Sequence, residues 1–452
     1  MRALANGRDH ATSLLVSSLA AAFGVALIQA TAMLNDIMGA ETGGTAGTAL
    51  FSVAAVFIGL SMYVASIVTA NTFATVVAGR TATIALLRLI GASAGALRSS
   101  VAREGLLVGL VGAALGLVIG IGASTAARTI AVSRGSMPDI DYTTVHPLVL
   151  LPAVIVVLTT WIAARVGSRR VLAVTPIQAT GQIVETPDIA ARRPVRTALS
   201  IVAVGGGFVV LGLGVLLGLV TPTGVIVAFF GGLISFTGIV LGAVSIMPAT
   251  LSVVGKMFGS SASARLAAAN AVRYPERSTR TTIGLVIGVT LVVTLAVAAA
   301  SYSAIMRSQP GSEQVDQALT VTTAVLGGLV GFSGVIAAVG MVSNMTLSVL
   351  QRTRELVLLR ALGFTRKQLR ATIFYESAQM VLASVGLGVV LGVIYGWAAA
   401  QSLLGSIGDT GLTAPTLPWG LVAGTVLAAG ILALVASLTP ARRAGRLSPA
   451  AA

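Results

Sequence analysis

Residues 282–306 read TIGLVIGVTLVVTLAVAAASYSAIM, twenty-five consecutive positions without a charged side chain. As an α-helix this stretch is roughly 37 Å long, enough to cross a hydrocarbon core ~30 Å thick. Apolar and polar residues do not alternate with period two, so it reads as a helix and not as a barrel strand. A helix also satisfies its own backbone inside lipid. Runs of the same kind recur along the chain, and ten spans are predicted: 11–34, 47–72, 105–132, 146–164, 197–220, 223–247, 282–306, 321–349, 375–403 and 418–439. The expected fold class is all-α, a polytopic membrane protein.

The rest of the composition agrees. Only 10% of the 452 residues are charged and 56% are hydrophobic, whereas soluble domains carry roughly 25% charged residues. The first span has the basic start of a signal peptide and an Ala-Thr-Ala near residue 32. Its length, and its place in the repeat described below, predict an uncleaved anchor instead. Cysteine is absent, which excludes disulfides, thiolate metal sites and covalently attached haem. His10 and His146 have no partners at ligand spacing, so no metal site is expected.

The net charge of +15 would by itself suggest nucleic acid, but the charges punctuate the spans. Of the 29 Lys and Arg residues, 26 fall in the N-terminal segment, the loops after even-numbered spans and the C-terminal segment. The other side holds only Arg128, Arg134 and Arg307. The positive-inside rule then places the basic side, with both termini, in the cytoplasm, and no nucleic-acid partner is expected. Loops on the opposite side (35–46, 133–145, 221–222, 307–320 and 404–417) are too short to fold independently, which takes ~40 residues or more. Their acidic residues Asp139, Asp141, Glu313 and Asp316 read as solvated loop positions.

The chain also repeats itself. At a constant offset of 272 residues, Arg80, Leu86, Leu87, Arg88, Gly91, Leu97, Arg98 and Glu104 match Arg352, Leu358, Leu359, Arg360, Gly363, Leu369, Arg370 and Glu376. Gly116 and Gly120 match Gly388 and Gly392 in the next span. Arg, Gly and Glu at fixed spacing do not coincide by apolar composition alone, so a duplication is inferred. Residues 1–180 would form one four-span half and 265–452 the other, with 181–264 contributing the two linking spans. Each half starts and ends in the cytoplasm, so their pseudo-symmetry axis runs along the membrane normal, unlike an inverted repeat. Gly112, Gly116 and Gly120, like Ser384, Gly388 and Gly392, form small-residue stripes expected to serve helix packing.

In each half the loop between the second and third spans carries the most information. The second copy runs Gln351-Arg-Thr-Arg-Glu-Leu-Val-Leu-Leu-Arg360-Ala-Leu-Gly363-Phe-Thr-Arg-Lys-Gln-Leu-Arg370, leading to Tyr375-Glu376. Leu356, Leu359, Leu362 and Leu369 give an apolar face at roughly helical spacing, and Arg352, Arg360, Lys367 and Arg370 give cations. Gly363 reads as a helix C-terminus and Thr365 as the cap of the next helix. The prediction is an amphipathic helix-turn-helix on the cytoplasmic membrane surface. Glu104 and Glu376, where loop meets membrane, are expected to satisfy arginines or helix N-termini.

Residues 352–376 resemble the signature of the FtsX-like (MacB-like) ABC permeases: an Arg-rich start, then Glu355-Leu-Val-Leu-Leu-Arg-Ala-Leu-Gly363, then Gln368-Leu-Arg370 and Glu376. Residues 80–104 resemble it less well, with Thr83 in place of the glutamate and Ser93-Ala94-Gly95-Ala96 in place of the polar turn. Asn270–Arg277 and Pro440–Pro449 also look like that family. The resemblance implies that each loop is a coupling helix seated on an ATPase subunit. Arg352, Glu355, Arg360, Gly363, Arg370 and Glu376 would act in the second copy, and Arg88, Gly91, Arg98 and Glu104 in the weaker one. Two such loops imply two copies of a separate ABC ATPase, which binds the ATP and Mg. Lys256 is followed by Met257 and Lys367 by Gln368, so no P-loop is present, no catalytic residue is expected and this chain needs no cofactor.

A permease of a bacterial cytoplasmic membrane is thus expected. Its substrate would be an amphipathic or lipophilic compound (antibiotic, peptide, lipid or haem-like) taken from the bilayer, with room for an extracytoplasmic accessory protein. The alternative is a regulatory permease that transmits motion to a cell-wall hydrolase or sensor kinase without transport. A secondary carrier fits poorly, because the span interiors hold almost no ionisable residues.

Overall fold

The computed structural model describes residues 7–38, 59, 63, 81–135, 147–168, 194–258, 261–273, 275–307, 363–406, 411–428 and 430–431. Their regular structure is helical, with no strand among the described residues. The helices are α1 (Gly7–Met38), α2 (Thr81–Leu89), α3 (Ala94–Ser133), α4 (Leu150–Gly167), α5 (Pro194–Gly218), α6 (Gly224–Gly255), α7 (Ala262–Arg273), α8 (Pro275–Arg307) and α9 (Arg366–Leu404). A short apolar helix, α10, covers Trp419–Ala428. Proline accounts for two of the starts. It lacks an N–H, which the first helical residue does not need, and it disfavours helical geometry in the residue before it. Pro194 accordingly opens α5, and Pro275 opens α8 after α7 has stopped at Arg273.

Among the described residues, seven helices are long and apolar enough to cross a membrane. They are the first, third, fourth, fifth, sixth, seventh and ninth predicted spans, and the chain is a multi-pass membrane protein. The second and eighth spans lie outside the described residues, apart from Gly59 and Tyr63, and α10 covers the first part of the tenth.

The small-residue stripe on α3 packs against α1. A Cβ on Gly116 would meet the Ser18 carbonyl at 2.6 Å, and one on Gly120 would meet the Val25 side chain at 2.7 Å. On α9, a Cβ on Gly388 would meet Val289 of α8 at 2.8 Å, and one on Gly392 would meet Val293 at 2.6 Å. The third span of each half therefore seats the same glycines against the first. The paired residues (Ala21 with Val289, Val25 with Val293) are 268 apart rather than 272, one helical turn of slippage between otherwise equivalent seams.

The spans at 181–264 are more than a connection. α5 and α6 form an antiparallel hairpin around the turn at 219–223. Small residues recur along α6 at Gly224, Ala228, Gly231, Ser235, Gly238 and Gly242, spaced alternately by four and three, the heptad pattern of a supercoiled seam. Ser200, Gly207 and Gly214 on α5 meet it at seven-residue intervals. The backbones come close enough that a Cβ on Gly207 would lie 2.5 Å from Ser235 Cα, and one on Gly231 2.7 Å from Leu211 Cα. Ser200 Oγ donates to the Gly238 carbonyl at 2.8 Å across the seam.

This hairpin packs on the second half. Gly218 abuts Ser402 of α9, Gln379 Nε2 donates to the Leu251 carbonyl at 2.6 Å, and the Tyr395 hydroxyl lies 2.9 Å from Ser235 Oγ. The largest core joins Leu211, Phe236 and Met247 of the hairpin to Ile287 of α8 and Leu391 of α9, and Val16 of α1 reaches it as well.

Candidate functional site

The first elbow is fully described between α2 and α3. α2 closes with paired reverse bonds, Ala92 N–H to the Leu87 carbonyl (2.9 Å) and Gly91 N–H to the Arg88 carbonyl (3.1 Å). This is the Schellman arrangement, which needs a left-handed residue after the helix. Gly91 supplies it with φ +100°. One residue of extended chain then suffices, because Ser93 caps α3 by accepting from the Ala96 N–H at 3.2 Å. The inner side of the elbow buries Ile84, Ala85, Leu97 and Val101 against Val108 and Ala164.

Its outer side carries further apolar residues, and the second-copy helix on which the amphipathic reading rests, 351–362, lies outside the described residues. Leu86, Leu89 and Ile90 are 57, 52 and 76% exposed, so the helix is apolar on both faces beside the turn. Arg88 and Arg98 are half-buried next to it. A surface of this kind on a rigid turn suits a hydrophobic groove better than open water.

The second elbow repeats the turn. Gly363 has φ +94°, and Thr365 caps α9 in a reciprocal box. Gln368 N–H donates to Thr365 Oγ1 at 3.2 Å, and Thr365 N–H donates to Gln368 Oε1 at 3.0 Å. The expected left-handed glycine and threonine cap are both present. The reading of the first copy needs a correction: the 272-residue offset puts Ser93 on Thr365, so the first elbow keeps its polar cap and loses only the glutamine half of the box. Leu369 is buried like its counterpart Leu97, and α7 lies against this part of α9, with Ser263 Oγ donating to the Gln368 carbonyl at 3.4 Å.

Of the predicted site residues, Arg88 lies at the end of α2, Gly91 forms the turn, and Arg98 and Glu104 lie in the first turns of α3. Gly363 and Glu376 stand on the second, where Glu376 is buried (7% exposed) and Glu104 is half-buried. Neither carboxylate is without a partner. Arg352, Glu355 and Arg360 lie outside the described residues, as does the Arg370 side chain.

The model of the family described as FtsX-like permease C-terminal matches residues 55–171 and again 327–449. The matches begin 272 residues apart, the offset of the repeat, and cover more than half the chain. Individual relatives agree. The uncharacterized ABC transporter permease YknZ of Bacillus subtilis is 29% identical over 146 residues, 32% of this chain and 34% of the relative. The macrolide export ATP-binding/permease protein MacB of Marinobacter nauticus is 32% identical over 138 residues, 30% of this chain and 20% of the relative. LolC of Haemophilus influenzae, a lipoprotein-releasing system transmembrane protein, is 26% identical over 137 residues, 30% of this chain and 35% of the relative. The chain thus spans only a fifth to about a third of the length of these curated relatives. With the family model matched twice at the repeat offset, and each match containing one elbow, the chain belongs to the FtsX-like permease family and carries two copies of its domain.

Proposed function

We propose that this chain is the transmembrane subunit of an ABC transporter that exports, or extracts from the bilayer, an amphipathic or lipophilic compound. ATP hydrolysis takes place on two copies of a partner ATPase. The supporting observation is the repeated elbow, with a left-handed glycine, a capped third span and uncovered Leu86, Leu89 and Ile90 beside Arg88. Each turn is joined directly to a span, because α3 and α9 run on as single helices of 40 and 39 residues. In this reading Arg352, Glu355, Arg360, Gly363, Arg370 and Glu376 carry the stronger contact, and Arg88, Gly91, Arg98 and Glu104 the weaker one.

The relatives whose names state a cargo handle macrolides or lipoproteins, and a lipophilic substrate here is argued by that likeness. Coexpression with the cognate ATPase should yield a complex of one permease and two ATPase subunits, whose ATP turnover in lipid rises with substrate. A permease that purifies alone, or a complex whose turnover responds only to a hydrolase or kinase partner, overturns the transport reading.

Both termini and both elbows belong to the cytoplasmic side in this proposal, with residues 1–180, 181–264 and 265–452 as first half, linking hairpin and second half. Reporter fusions at residues 140 and 410 are expected to signal from outside, and fusions at 185 and 260 from the cytoplasm. Either pair on the other side rejects the 26-to-3 charge argument.

A further inference from the structure

A cavity of about 680 Å³, its open mouth included, lies between α5, α6, α8 and α9 and is closed on one side by Tyr63 of the predicted second span. Its walls are aromatic and aliphatic. Phe236 meets Tyr63 and Tyr395 edge-on, with ring centroids 6.2 Å apart in each pair. Both tyrosine hydroxyls are satisfied by the protein: Tyr63 Oη lies 2.6 Å from Thr237 Oγ1, and Tyr395 Oη 2.9 Å from Ser235 Oγ.

Thr290 lines the same cavity and differs. It is 4% exposed, and its Oγ1 has no hydrogen-bond partner among the described residues. A helical threonine usually bonds back to the carbonyl four residues earlier. Thr282 does so about two turns earlier on α8, donating to the Ser278 carbonyl at 2.7 Å. A hydroxyl hidden from water and left unpaired destabilises the empty protein, and Thr290 stands on the cavity wall, so a guest can supply the missing partner once the side chain turns toward it.

The space is specific to this place. A Cβ on Gly232, which faces the cavity, would meet only side-chain atoms of Tyr395 and Leu211 at 3.9 and 4.0 Å, whereas its neighbour Gly231 is pressed against the Leu211 backbone. None of the described lining residues is Asp, Glu, Lys, Arg or His, so a charged ligand group would lose hydration with no compensation. Tyr395 follows the start of α9 by 29 residues, roughly 43 Å along the helix, so the cavity is well separated from the second elbow.

We propose that this cavity binds a single uncharged lipophilic molecule whose carbonyl or ester oxygen accepts the Thr290 hydroxyl. That the molecule is the transported substrate rests on the transporter reading above; the binding itself does not. The enclosed part of the space is about 100 Å³, room for a chain end or one small ring, and the rest of the molecule lies in the open mouth.

The test uses the full chain in phosphatidylcholine nanodiscs and three photoreactive diazirine probes. These are a diacylglycerol built into the bilayer, a neutral ketosteroid added from water, and a fatty acid carrying its carboxylate. Labelling is mapped by mass spectrometry. A neutral probe is expected to mark residues 225–236 and 287–294, and which of the two does so identifies a lipid or an outside compound as the source. The carboxylate should label at least about tenfold less. Thr290→Val should cut neutral labelling about tenfold, the loss of one buried hydrogen bond, and should melt no lower than the parent when empty. Gly232→Phe should abolish labelling by filling the space. Failure of both neutral probes, equal labelling by the carboxylate, unchanged labelling of Thr290→Val, or a destabilised empty Thr290→Val each overturns the site. Labelling retained in a preparation that binds no ATPase overturns the transporter reading alone, and ATPase binding without labelling overturns the site alone.

Discussion

Gly214→Val is expected to remove most of the folded protein from detergent extracts, while Gly212→Val, two residues away on the same helix, leaves the yield nearly unchanged. A Cβ on Gly214 would lie 2.5 Å from Ala228 Cα and 2.7 Å from its Cβ. Backbone cannot rotate aside as a side chain does, so the two helices must separate. One extra methylene in a tight core costs ~1–3 kcal/mol. Moving α5 away from α6 also loosens the approaches at Gly207 and Gly231, so the total is expected to reach about 3 kcal/mol or more. Gly212 has nothing within 4 Å of its added Cβ, and its substitution tests helix propensity alone, at roughly 1 kcal/mol in valine's favour or less. Thermal melting of the purified variants decides the matter. Equal melting temperatures for the two would show that the hairpin seam is not a tight contact.

That seam also shows where the sequence was legible and where it was not. Spans could be read because length and absence of charge are one-dimensional properties, as at 282–306. The elbows could be read because their chemistry is local: a left-handed turn calls for glycine at 91 and 363, and the following helix calls for a hydroxyl at 93 and 365. Hydropathy does not mark the central seat of the α5–α6 hairpin. Leu213 and Leu216 face outward while Leu211 and Val215 are buried, and lipid accepts the same residue types as a protein core, so hydrophobicity does not distinguish the two faces. The spacing of small residues on α6 did hold that information, because only close helix packing explains a four-three alternation of Gly, Ala and Ser. Nothing local announces the cavity, whose walls come from five separate segments. The elbow's uncovered leucines are hidden in the sequence for a related reason: Leu86 and Leu89 fit an apolar stripe but are exposed on α2, whose Ile84 and Ala85 enter the core.

The two elbows are expected to differ in strength, and the difference is measurable at Gly363. Ala at Gly363 should reduce substrate-stimulated ATP turnover about tenfold or more, whereas Ala at Gly91 should reduce it only a few-fold. Neither glycine has an atom within 4 Å of its added Cβ, so the penalty comes from the backbone, about 1–3 kcal/mol for a non-glycine residue held at positive φ. The consequence differs because the second turn is more constrained: Thr365 and Gln368 cap each other, whereas Ser93 makes a single bond and Ala96 returns none. A stiffer turn relaxes less and passes more of the strain to whatever docks on it. The second copy also holds Glu355 within a dense cationic set, where the first has Thr83. A charge pair desolvated at an interface costs ~2–5 kcal/mol when one member is truncated, so Glu355→Ala or Arg360→Ala should weaken ATPase co-purification, and Thr83→Ala should not. Asparagine tolerates the left-handed region better than alanine, and Gly363→Asn should therefore recover part of the coupling. Recovery by asparagine separates a backbone requirement from a lost surface contact. Equal losses from the two elbows would refute the asymmetry, and full coupling in a chain carrying Gly91→Ala, Gly363→Ala and Arg360→Ala together would refute the elbows as the ATPase contact.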